Sequence, residues 1–123
     1  MTGLALTVVI PQPSAAEILA LCEGLVAVSR VQMRRDRRPW PDLKSAGVRY
    51  QRTDGWQSPR QLLASRRGDC KELAVYEVAR LRERGVPATL RITRVGRVWH
   101  VLVRMPDGQL FDPSRELGMR GDR

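Results

Sequence analysis

Three side chains have the types and the order needed for covalent chemistry at a carbonyl: Cys70, His100 and Asp112. A thiol is a useful nucleophile when a neighbouring base takes its proton and later returns it. That base needs a third group to fix its tautomer and orientation. Asp69 and Glu72 form a capping-box pattern, so Cys70 falls in the first turn of a helix. The positive end of the helix dipole lowers the pKa of a thiol placed there. His100 is the single histidine. It shares parity with Val98 and Leu102 and points to whichever face they bury. A tight turn at Pro106-Asp107-Gly108 puts residue 114 opposite His100 and Asp112 on the diagonal, about 7–8 Å away. Each residue also has a plainer reading: a small buried thiol, a core histidine bonded to backbone, and a strand-end aspartate before proline. The order of the three carries more weight than any one alone.

The surrounding pattern supplies elements to position them. Residues 4–10, LALTVVI, read as an N-terminal strand or extended arm. Ser14 and Glu17 form another capping box, and apolar spacing continues a helix over 14–34, weakened by Gly24. Cys22 lies on its apolar stripe and reads as structural. Residues 36–57 read as a loop with a short strand near 48–51. Ser58-Pro59 starts a helix over about 59–66. The helix beginning at Cys70 presents Leu73, Ala74, Val78 and Leu81 on one face and stops at Gly85 and Pro87. A half-buried strand over 88–93, a turn at Gly96, an inner strand over 98–103 and a third strand over 109–112 follow. The tail, 114–123, shows no periodicity. The expected fold class is α+β, one domain over 1–123 with its core at about 48–117: N-terminal helices packed on a small antiparallel sheet.

Composition narrows the choice of function. A chain of 123 residues is the length of one domain. It carries no uncharged apolar run of about 18 residues, so no membrane-spanning helix is expected. The apolar start lacks a basic region and a cleavage site, so no secretory signal is expected. Two cysteines and one histidine, far apart, make a poor zinc site, and no cofactor is expected. The net charge is +9, and arginine supplies nearly all of the positive charge. That field attracts anionic partners, nucleic acid among them, but the arginine clusters lack interleaved aromatics for base stacking. Arginine used in place of lysine also matches the composition bias of a GC-rich genome.

The stretch GDCKELAVYEVARLRERGVPATLRI, then WH at 99–100 and LFDPS at 110–114, resembles the core of the transglutaminase-like superfamily of papain-like cysteine proteases. The upstream YQRTDGWQSPRQLLASRRGDC is similar to small bacterial transglutaminase-like cysteine proteinases. The resemblance covers about residues 48–117. It implies Cys70 as nucleophile, His100 as base and Asp112 as orienter. It also implies an oxyanion donor at the Cys70 N–H and an oxyanion or cleft residue at Trp56 or Gln57. The chain departs from the family in having Trp99-His100-Val101-Leu102 where H-A-W is common, and Lys71-Glu72 where two acids follow the cysteine. Lys71 favours a thiolate electrostatically. No calcium-binding acidic cluster is visible.

Two kinds of function follow from the resemblance. The first is an enzyme: a cysteine-dependent amide hydrolase, peptidase or deamidase, or an acyltransferase, working on a protein or peptide through an acyl-thioenzyme. The second is a phage or prophage virion or assembly accessory that uses the fold to dock on structural proteins, with or without catalysis. The first places the protein in the cytoplasm; a phage-encoded accessory belongs in the virion.

Overall fold

The computed structural model describes residues 7–53 and 55–119. Helix α1, Ala15–Arg35, starts where the sequence pattern says it should. Ser14 accepts the Glu17 N–H and Glu17 accepts the Ser14 N–H, which satisfies two of the donors a helix start leaves open. Its buried positions are Cys22, Val26, Ser29 and Met33. Residues 7–10 form no strand, and Val8 and Val9 are exposed. The remainder of the expected arm, 4–6, lies outside the described residues.

Strand β1, Arg49–Tyr50, lies in the expected short strand. Its partner is β2, Arg67–Gly68, a parallel pairing that the local pattern did not announce. Between them, α2 spans Pro59–Ser65, with a Ser58–Gln61 capping box and Arg66 in the left-handed region at its end. Gly68 passes close to the core: a Cβ there would stand 2.7 Å from Leu62 Cδ1 and 3.2 Å from Leu73 Cδ2, so a larger residue makes those side chains shift.

The next helix, α3 (Cys70–Glu83), is the centre of the domain. The sequence pattern suggests one apolar face, yet every residue from Glu72 to Ala79 is buried. Neighbours on several sides cause this, with α1, the sheet and the C-terminal segment all packing against α3. Two carboxylates are enclosed with it, and both are bonded. Glu72 accepts the Gln57 N–H (2.7 Å), the Thr53 hydroxyl (2.7 Å) and the Asp69 N–H (3.0 Å). Glu77 accepts the Leu43 N–H and the Arg80 guanidinium. Buried charge is tolerable only with such partners. They tie Leu43, Thr53 and Gln57 to α3. The helix stops at Gly85, φ +82°, where the Val86 N–H bonds back to the Leu81 carbonyl.

Strands β3 (Thr89–Val95), β4 (Val98–Arg104) and β5 (Leu110–Phe111) form an antiparallel sheet in that order. Thr93 faces His100, and Val103 pairs with Phe111. Leu90, Val101 and Val103 enter the core shared with α1 and α3. The third strand is shorter than expected, and Asp112 falls just beyond it. Instead of irregular chain, residues Pro113–Glu116 form a one-turn helix, α4, because Asp112 caps it and Pro113 occupies its first position. Residues 117–119 follow it without further helix or strand, and 120–123 lie outside the described residues. The described chain is a small α+β domain of helices and a three-stranded antiparallel sheet. None of its helices is long and apolar enough to cross a membrane.

Candidate active site

Cys70, His100 and Asp112 line one cleft of about 600 Å³. Each arrives by a different local device. Cys70 is the first residue of α3, held there by the Asp69–Glu72 cap: Asp69 accepts the Glu72 N–H at 3.0 Å. His100 lies midway along β4. Asp112 follows β5, and its two oxygens have separate tasks. Oδ1 accepts the Arg115 N–H at 3.2 Å and so caps α4, while Oδ2 is 2.9 Å from His100 Nε2. The diagonal pairing expected from the turn thus becomes a direct hydrogen bond, since Asp112 leaves the strand and turns towards the histidine.

His100 shares its face of β4 with Val98 and Leu102, and that face is not the buried one. The fully buried residues of β4 are Val101 and Val103, of the opposite parity, and Val98 is 58% exposed. His100 therefore faces away from the main core, although its side chain is only 14% exposed. An imidazole at a cleft wall, covered but reachable, suits proton transfer better than one enclosed in the core.

The thiol also differs from the simple dipole expectation. Burial pushes the Cys70 thiol up, and the nearby Asp69 adds to this. The Val101 N–H and Lys71 act in the other direction. Strand β5 pairs with β4 only at Val103 and Arg104, so it does not take up the Val101 N–H. Lys71 does not act alone, because its ammonium pairs with Asp69 at 2.5 Å. Burial outweighs the favourable end of the helix.

Trp56 and Gln57 do not line this cleft. Trp56 is half-buried. The Gln57 backbone N–H donates to Glu72 and its side-chain amide donates to the Arg67 carbonyl at 2.7 Å. Gln57 therefore tethers the loop before α2 to the start of α3. The sequence reading passed over Tyr50, Arg52, Arg115 and Met119, all of which line the cleft. Tyr50 comes alongside Cys70 through the β1–β2 pairing and a bond from its N–H to the Leu117 carbonyl at 2.9 Å. Burial pushes its phenol up, helped by the charge of a Cys70 thiolate. The tyrosine at the head of the motif was a usable signal; the arginines, two among many, gave none.

Among the described residues, no group of three or more histidine, cysteine, aspartate or glutamate side chains is placed to hold a metal ion. No protein-family model, curated protein or solved structure matches this chain.

Proposed function

We propose that the protein is a cysteine-dependent amide hydrolase or acyltransferase of transglutaminase-like type, acting on a protein or peptide. The observation that carries this reading is the 2.9 Å bond between His100 Nε2 and Asp112 Oδ2 in the cleft that Cys70 lines. With its Nε2–H donated to Asp112, the imidazole has Nδ1 left as the base. The Cys70 proton passes to Nδ1 as the sulfur attacks the carbonyl carbon. The imidazolium then protonates the leaving nitrogen, the C–N bond breaks, and a thioester remains on Cys70. Water, or an amine in a transferase, gives a proton to His100 and attacks the thioester. The acid or new amide leaves and the thiol is restored. Burial pushes the Cys70 thiol up, which suits His100 acting as a general base in the attack.

The test follows alkylation of Cys70 by iodoacetamide against pH in a Cys22→Ala background. Removing His100 should slow alkylation near neutral pH and move its rise to higher pH. In parallel, Cys70→Ala should abolish hydrolysis of amide substrates while the fold stays intact. Hydrolysis that survives Cys70→Ala overturns the reading.

A second reading rests on a different observation. Val8 and Val9 are exposed, and so are Val28 and Val31 on α1. Such apolar surface suits an accessory that docks on a phage or prophage assembly. Stable association with structural proteins, unchanged by Cys70→Ala, would favour it. The enzyme would act in the cytoplasm and the accessory in the virion.

A further inference from the structure

The walls of the cleft differ in character. One is the tip of the β3–β4 hairpin, which contributes Val95, Val98 and Trp99. Val95 and Val98 are 68% and 58% exposed, side by side at the hairpin tip. Trp99 is half-buried, and its ring carries the Arg94 guanidinium at 5.1 Å. The other wall carries Arg52 and Arg115. Arg52 lies two residues after Tyr50, and Arg115 two residues before Leu117. The Tyr50–Leu117 backbone bond joins their segments, so both guanidiniums rise from neighbouring stretches. Both residues are exposed. Among the described residues, the one acidic side chain in the lining is Asp112, which is already engaged by His100 at 2.9 Å and has Arg115 Nε at 3.7 Å. Among the described residues, the lining thus offers two exposed cations, Arg52 and the Asp112-paired Arg115, and no unengaged anion, beside an apolar rim.

We infer that this cleft takes an acidic peptide segment, with carboxylate side chains against Arg52 and Arg115 and an apolar side chain against Val95, Val98 and Trp99. This specifies the ligand class of the site proposed above and rests on that reading only for turnover. Guanidinium groups recognise carboxylates by paired N–H donors. The +9 charge of the chain steers an anionic segment towards them. Nucleic acid is the competing ligand, since Tyr50 and Trp99 also line the cleft, but the exposed Val95 and Val98 favour an apolar side chain over a base.

The test uses Cys70→Ala protein, so that binding is read without cleavage. A fluorescein-labelled acidic peptide with one leucine is compared with its glutamine-substituted counterpart by anisotropy. The acidic peptide should bind at least tenfold more tightly. Replacing Arg52 and Arg115 together by glutamine should remove about tenfold of that preference. The Arg60→Gln/Arg91→Gln double variant removes the same charge from exposed positions outside the cleft lining and should change it less than twofold. Equal affinity for the two peptides, or equal losses in the two double variants, overturns the inference. Preferred binding of an oligonucleotide, insensitive to Arg52 and Arg115, also overturns it. Binding as described with no turnover by the Cys70 protein leaves the ligand class standing and defeats the hydrolase reading. Equal turnover of acidic and neutral peptides, with equal binding, does the reverse.

Discussion

The two cysteines are the same group in two environments. Cys22 is 1% exposed in the middle of α1, packed on α3, and burial pushes its thiol up to about 11. Cys70 is only partly covered. Its thiol is also pushed up by burial, but it has the Val101 N–H and Lys71 working against that burial. It shares a cleft with an imidazole whose other nitrogen is already held. What separates a structural thiol from a candidate nucleophile here is the company of donors and bases.

The strongest way to break the contrast is to disturb the base without touching either sulfur. Asp112→Asn keeps a residue that caps α4 almost as well, but removes the carboxylate bonded to His100 Nε2. We expect kcat to fall by roughly 10²- to 10⁴-fold with little change in unfolding free energy. Steady-state kinetics and urea unfolding on the same variant check both halves. Activity within a few fold of wild type would detach Asp112 from the chemistry.

A smaller effect tests the platform under Cys70. Glu72 receives three donors and ties residues 53 and 57 to the start of α3. Glu72→Ala leaves those donors without their acceptor and should cost about 3 kcal/mol. Urea denaturation measures the loss, and hydrogen exchange should show the Gln57 amide opening. A change below about 1 kcal/mol would mean that the loop is held by other contacts.

The smallest effect sharpens the Cys22 side. Its folded pKa lies above its ordinary value of 9.0. The stability linked to the neutral thiol is therefore fully present below about pH 9 and is lost as pH rises towards about 11. The loss should reach roughly 2 kcal/mol. Cys22→Ala should lose this alkaline component, while costing about 1–2 kcal/mol near neutral pH through lost packing. Unfolding free energies of both proteins under reducing conditions, at about pH 8 and about pH 10.5, give the comparison. Parallel alkaline losses would assign them to other groups, the buried Tyr76 phenol foremost.

Much of the local structure was legible because it is written in neighbouring residues. Ser14 with Glu17 and Asp69 with Glu72 each close a capping box three residues apart, Ser58 precedes a proline at the first helical position, and each starts a helix. Gly85 and Pro87 end α3, and the turn at 106–108 sets the pairing of Val103 with Phe111. These signals fixed the first-turn position of Cys70, the strand position of His100, and Asp112 at the end of the sheet. They concern hydrogen bonds and dihedral angles spanning a few residues, which composition and spacing record directly.

Only the tertiary structure decided the rest. The parallel pairing of Arg49–Tyr50 with Arg67–Gly68 joins residues 18 apart in each ladder step and leaves no local pattern. It nevertheless brings Tyr50 and Arg52 to the cleft. The capping of α4 by Asp112 turns an expected diagonal into a 2.9 Å contact with His100. The sign of the shift at Cys70 was likewise not local. The helix dipole and Lys71 can be read from the sequence, but desolvation depends on what the whole fold packs over the sulfur, and there it is the larger cause.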